Sequence, residues 1–415
     1  METSNNTVSP QTIFSWALYD FANTIFSMNV ISLYFALWVT VDMAGEDIFY
    51  SVALSGSLIL AAIVEPITGA MSDVYGRRIP FLFFFTAICC LFTALIGTAN
   101  SLLVGLALFV VANVGYEVAN VFYNALLPEI STKENIGRIS GYGVALGYVG
   151  TIFGLLLTKP FLLSSGRQAV FLPTGAIFFL FAIPCLLFVK DKNCKTLSPT
   201  PSFSSAFKKS FLRIKDTFTE SHKYPGLIRY LAGLFIFFNA VNTCIIFMSV
   251  YTKKVIGFSD TDIITFYIVS TIFAITGSFI FGFITDKIGS KHSLVISIFI
   301  WCSGLFIAFI SNNPKMFWLA GPLIGIALGS TWVSSRALLV ELCPCEKIGE
   351  VFGLYGVAGK SSSVVGSLIW GLTVLLLGTT GLLKYRIAIF LQIMFVILGW
   401  FVLRKVPGRF GNIKC

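Results

Sequence analysis

Charge is what this chain has least of: Asp, Glu, Lys and Arg make up 12% of its 415 residues while hydrophobic residues make up 56%. Soluble domains carry roughly 25% charged and 45–50% apolar residues, so a water-soluble globular domain is excluded. Histidine is scarcer still, with His222 and His292 alone, both in expected inter-helix loops. A His-rich metal cluster and an intramembrane His relay are thereby excluded, leaving carboxylates for any proton transfer. Among the nine cysteines, Cys89, Cys90, Cys185, Cys244 and Cys302 lie inside apolar runs and read as small packing residues. Cys343-Pro-Cys345 has no His or second Cys pair nearby, and reads as a loop in a reducing compartment. No metal, cofactor or nucleophile motif is therefore expected, which argues against an enzyme. The polar segment before Gln11 lacks Lys and Arg, so no signal peptide is expected there.

What the chain has in abundance is long apolar runs. Windows of about 20 residues place helices over 12–40, 50–72, 79–98, 101–127, 139–162, 170–189, 229–252, 261–284, 293–311, 316–340, 351–377 and 387–403. The expected architecture is an all-α membrane protein of twelve spans, with one six-helix bundle over 1–189, a linker over 190–228 and a second bundle over 229–415. The even span count puts both termini on one side. Loops and tail on that side hold 20 of the 29 Lys and Arg residues and the opposite loops hold seven, which orients both termini to the cytoplasm. The net charge of +10 thus reads as topology and headgroup attraction rather than nucleic-acid binding. For the same reason the sequon at Asn5 is expected to stay unglycosylated. Within the linker, Phe207, Phe211, Ile214 and Phe218 share one side of a possible interfacial helix. Asp42, Glu46 and Asp47 fall in one opposite-side turn and read as solvated.

A short polar interruption organises the rest. Gly69-Ala-Met-Ser-Asp-Val-Tyr-Gly-Arg-Arg78 is echoed by Gly282-Phe-Ile-Thr-Asp-Lys-Ile-Gly-Ser-Lys291 at an offset of 213 positions. Ala125-Leu-Leu-Pro-Glu-Ile130 is echoed by Ala337-Leu-Leu-Val-Glu-Leu342 at an offset of 212, as are Gly137, Gly141 and Gly147 by Gly349, Gly353 and Gly359. Two in-register echoes mark two similar halves, and their like charge pattern makes them parallel repeats.

An ionisable side chain in hydrocarbon costs at least roughly 2.5–3.5 kcal/mol, so those retained are functional candidates. They are Asp20, Glu65, Glu117, Arg336 and Lys360. Around Glu117, the residues Asn113, Tyr116, Asn120, Tyr123 and Asn124 recur at helical spacing and form one polar stripe, expected to line a wet cavity. Their counterparts in the second half include Trp332 and Arg336, which suit an anionic or zwitterionic solute; the alternative is that Arg336 pairs with Glu341 as a gate. Asp20 shares a face with Trp16, Asn23, Thr24 and Ser27, and Asn239 and Asn242 mark a matching polar face later on. Asp20, Glu65 and Glu117 are the proton-coupling candidates, although Glu65, next to Pro66, reads equally as a structural acid. Gly359-Lys360 lacks the spacing of a phosphate loop.

The Gly69-x3-Asp73-x2-Gly76-Arg77-Arg78 loop, with its degenerate copy around Asp286, resembles the signature of the major facilitator superfamily of secondary transporters. Trp16-Ala-Leu-Tyr-Asp-Phe-Ala-Asn23, the glycine-rich stretch Gly137 to Gly150, Ser335-Arg-Ala-Leu-Leu339, Phe352-Gly-Leu-Tyr355 and Gly359-Lys360 resemble its vacuolar effluxer-like, autophagy-related branch. This resemblance implies rocker-switch alternating access, a site between the halves, a cytoplasmic latch at Asp73, and a pairing of Arg77 with an acid such as Glu129. The yeast members are linked to amino-acid release from the vacuole. This chain lacks their long insertions, which suits a bacterial plasma-membrane form, and Ser290 in place of the first Arg weakens the second latch.

The expected function is secondary transport of a small polar or zwitterionic, amino-acid-like solute, coupled to protons or another ion, by a monomer in the lipid bilayer. Two alternatives stand beside it. Export of a lipid or amphipathic drug is suggested by the 42 Phe residues, and a non-transporting receptor is opposed by a linker too short for an added domain.

Overall fold

The computed structural model describes residues 9–75, 77–130, 136–190, 226–342 and 348–407. The interfacial helix expected in the linker, His222 and Cys343-Pro-Cys345 lie outside the described residues. The first long helix, α1 (Pro10–Phe26), continues into π-helical turns over Ser27–Tyr34 and Trp38–Asp42 around a short α turn. There follow α2 (Asp47–Tyr75), α3 (Ile79–Ile96), α4 (Leu102–Ala125), α5 (Ile136–Ser165) and α6 (Phe171–Phe188). The second half holds α7 (Leu227–Tyr251), α8 (Asp260–Ile288), α9 (Ser290–Ile310), α10 (Ala320–Leu342), α11 (Ile348–Leu376) and α12 (Leu383–Leu403). Among the described residues, twelve helical spans are long and apolar enough to cross a membrane, as the sequence windows predict.

Local chemistry sets where these helices begin. Ser9, Ser101 and Ser259 each accept the backbone amide three residues on, from Thr12, Val104 and Asp262. Asp262 returns the bond to the Ser259 amide, completing a capping box. Pro10 and Pro80 occupy first-turn positions, where the missing N–H costs nothing.

The chain divides into two compact units, Met1–Trp38 with Gly56–Ser210, and Val39–Ser55 with Phe211–Cys415. Inside the first, α1 packs on α5 and α6, and α3 packs on α4 and α6. Inside the second, α7 packs on α11 and α12, and α9 packs on α10 and α12. Each of these four pairings in one unit is the other's shifted by six helices, so the repeat legible in the loops extends to this packing. The helix α2 is shared, with Asp47–Ser55 grouped in the second unit and the rest in the first.

Very close helix contacts require glycine at several points, two of which show it. A Cβ on Gly150 of α5 would lie 2.3 Å from the Phe21 carbonyl oxygen of α1, and one on Gly325 of α10 would lie 2.1 Å from the Ser270 carbonyl oxygen of α8. With lipid tails as apolar as Leu, such backbone approach supplies the dispersion contacts that hold helices together. Buried polar pairs add to it, including Tyr19 with Thr86 at 2.7 Å and Ser297 with Ser330 at 2.7 Å. Outward faces are apolar: Leu376 is 80% and Leu103 78% exposed, which only a hydrocarbon surrounding tolerates on this scale.

Gly150→Val is expected to destabilise the fold by roughly 1–3 kcal/mol through overpacking, read as a lower melting temperature in detergent. Gly356→Ala, whose added Cβ meets nothing within 4 Å, is expected to leave it unchanged or slightly higher.

Candidate functional site

In the first unit, α1 and α4 bring their polar faces together. Asn23 Nδ2 donates to Asn120 Oδ1 at 3.0 Å and to Asp20 Oδ1 at 3.3 Å, while Thr24 Oγ1 donates to the Asp20 carbonyl at 2.7 Å. The Tyr116 hydroxyl lies within hydrogen-bond reach of Asn120 and Ser27. Asp20, Thr24, Ser27, Tyr116, Glu117 and Asn120 are half-buried and Asn124 is exposed, so this face is open. Helix α5 makes room with glycine: a Cβ on Gly143 would lie 3.2 Å from Asp20 Oδ2, and one on Gly147 would lie 2.8 Å from Thr24 Oγ1. Two carboxylates among amide and hydroxyl groups suit an ammonium group, and each is able to carry a proton.

Two members of the expected stripe leave the open face. Asn113 is fully buried and donates to Ser57 Oγ at 2.8 Å, so it ties α4 to α2 rather than lining a cavity. Tyr123 is stacked between Trp16 and Tyr19, with ring centroids 4.6 and 4.8 Å away. Its buried hydroxyl has no hydrogen-bond partner among the described residues and would lie 3.2 Å from a Cβ on Gly143, beside the Asp20 carboxylate. Trp16 Nε1 donates to the Tyr123 carbonyl at 3.2 Å, locking the stack.

The second unit presents the opposite charge. Arg336 is exposed on α10 with its guanidinium 6.0 Å from the Trp332 ring, and it reaches the Tyr355 hydroxyl of α11. Tyr355 also meets Ser335 Oγ at 3.0 Å, and Phe238 of α7 packs on both Trp332 and Tyr355. Asn242 Nδ2 donates to Ser362 Oγ at 3.1 Å and to the Gly359 carbonyl at 3.2 Å, next to half-buried Lys360. Asn239, by contrast, is 1% exposed, and its carbonyl accepts from Thr243. A guanidinium on an aromatic shelf is a fitting receiver for a carboxylate. Reading the sequence by charge alone missed Tyr355 and Ser362 as site residues; the signal was their spacing, four and three residues either side of Gly359.

Gly69 is half-buried and Arg77 exposed, while Gly76 and the side chains of Asp73 and Asp286 lie outside the described residues. The partner of Glu129 is Arg78, not Arg77: Arg78 Nη1 bonds Glu129 Oε1 and donates to the Ala125 carbonyl at 2.9 Å. The reason is direction, since Arg78 opens α3, which packs on α4, and so faces the Ala125 end of that helix. Glu341 Oε2 is buried with no hydrogen-bond partner among the described residues, and Glu65 is half-buried on α2. The acidic turn also departs from expectation. Asp42 and Glu46 are exposed, but Asp47 is 1% exposed and accepts from Tyr385 and Trp370.

Glu129→Gln is expected to cost about 1.5–3 kcal/mol, the range for a hydrogen bond to a charged group, read from the melting temperature. Arg77→Gln should leave it within error.

Residues 47–409 match the family described as "Vacuole effluxer Atg22 like". The chain is 26% identical over 413 residues to the uncharacterized MFS-type transporter YxiO of Bacillus subtilis, covering 95% of this chain and 94% of that one. It is 26% identical over 351 residues to autophagy-related protein 22 of Kluyveromyces lactis, covering 76% and 70% of the two. The crystal structure of the nucleoside transporter NupG superposes with a TM-score of 0.70 over 95% of this chain and 100% of that chain, at 13% identity. At that identity the likeness shows the fold. The chain therefore belongs to the Atg22-like vacuole effluxer family and is a multi-pass membrane transporter of the major facilitator type.

Proposed function

We propose that the protein carries a small zwitterionic, amino-acid-like solute by alternating access, coupled to protons. The observation that carries this reading is the division of charge: an open acidic cluster, Asp20 and Glu117 with Asn120, on the first unit, and exposed Arg336 over Trp332 on the second. Asp20 and Glu117 suit an ammonium group, and Arg336 suits a carboxylate through its paired donors. The same carboxylates, with Glu65, would carry the coupling protons. Their neutral form releases the ammonium group, so that proton and solute exchange places. The excess of cations in one set of loops supports an orientation with both termini cytoplasmic. A bacterial plasma membrane, a monomeric carrier, and two bundles joined by a linker over 190–228 complete the proposal.

The test is uptake into proteoliposomes of labelled amino acids under an imposed pH gradient. Glu117→Gln and Arg336→Gln are each expected to lower uptake roughly ten- to hundredfold, as loss of a charge-assisted hydrogen bond does. Undiminished uptake in either well-folded variant would remove that residue from the site.

A further inference from the structure

We propose that a groove between α3 and α6 of the first unit holds one anionic phospholipid, with an acyl chain along its floor and the headgroup phosphate at a cationic mouth. Ile79, Pro80 and Phe83 of α3 and Phe179, Ile183 and Leu187 of α6 line the groove, around a space of 280 Å³. Every side chain that lines it is apolar. It is built on different helices from the open polar face, so it goes beyond the transport reading and holds whichever solute is carried.

The shape follows from the order of residues. On α6, Phe179, Ile183 and Leu187 recur every four positions and form one stripe, about 12 Å long at the helical rise. At the deep end Phe83 and Phe179 meet edge to face, with ring centroids 6.3 Å apart. Phe83 is 49% and Leu187 66% exposed, so the groove opens outward, away from the packed interior of the unit. One leaflet of hydrocarbon is roughly 15 Å thick, half of the usual core. A narrow apolar slot of nearly that depth, entered from the interface, fits a single acyl chain.

The mouth supplies the charge. It lies where α3 begins and α6 ends, and there Arg77 stands just before Ile79 and Lys190 just after Leu187 and Phe188, both exposed. Arg78, by contrast, is engaged by Glu129 and the Ala125 carbonyl. Two cations at the interfacial end of an apolar slot attract a net negative headgroup. A phosphocholine headgroup brings its own cation and gains less from them. In the second unit, the corresponding α9 and α12 pair carries larger side chains. Trp400 packs on Phe299, with ring centroids 5.7 Å apart, and Arg404 lies 5.3 and 4.7 Å from the Trp400 and Phe401 rings. There the terminal cation already rests on aromatic rings of the protein.

The test is native mass spectrometry of the purified, delipidated full-length protein in detergent, mixed with dioleoyl phosphatidylglycerol or, separately, with dioleoyl phosphatidylcholine. One phosphatidylglycerol is expected to bind roughly tenfold more tightly than phosphatidylcholine. The Arg77→Gln, Lys190→Gln double variant should bind the two lipids alike. Lys315→Gln, which removes an exposed cation from the short turn between α9 and α10, should keep the preference. Leu187→Trp, which fills the groove, should lower phosphatidylglycerol binding roughly tenfold, and Ile183→Trp serves if that variant does not fold. Equal binding of the two lipids by the unaltered protein, a preference that survives the double substitution, an equal loss in Lys315→Gln, or undiminished binding with the groove filled would each overturn the proposal. Since no solute or gradient is used, failure here is distinct from failure of the proposed transport site.

Discussion

Hydrocarbon offers no hydrogen bonds, and every polar group of this chain has to find its partners inside the protein or at water. That requirement makes each span a helix and turns Leu, Phe and Val outward. It also makes the placement of each polar side chain informative. Asn113 satisfies it by bonding Ser57 across a helix contact, and Tyr19 by bonding Thr86. The Asp20, Glu117 and Asn120 cluster keeps a half-buried side instead. Close glycine-mediated contacts do the remaining work, because packing rather than hydrophobic burial holds helices together in lipid.

The two units use the same helix pairings for opposite chemistry. In the first, α5 withdraws its side chains at Gly143 and Gly147 so that an acid and its hydroxyl neighbours fit beneath it. In the second, α10 and α11 build an aromatic floor of Trp332 and Tyr355 under a cation. Duplication preserved the scaffold, and substitution at equivalent faces divided the charge.

The helix α2 links these surfaces to the rest of the chain. Its first turns group with the second unit, where they meet α11 and α12, and its remainder with the first. The contacts at that start join a buried acid and small serines to the aromatic rings of Trp370 and Tyr385, with Tyr50 packed on Phe247.

Much of this was legible in the residues. Apolar run length marked the spans, the echoed Gly-x3-Asp-x2-Gly loop marked the duplication, and the rarity of intramembrane charge singled out Asp20, Glu117 and Arg336. Helical period could not separate Asn113 from Asn120, because both lie on one stripe and only the neighbouring helix decides which meets Ser57 and which stays open. Nor could adjacency separate Arg77 from Arg78, since the turn between helices sets which guanidinium points at Glu129. Asp47 read as a solvated acid because its partner Tyr385 lies 338 residues away, a contact that no local pattern encodes. Composition and periodicity determined that this chain is a duplicated bundle of membrane helices with a few costly charges. Which of those charges are open, paired or sealed was decided by tertiary packing, because a side chain's surroundings are made by helices distant in sequence.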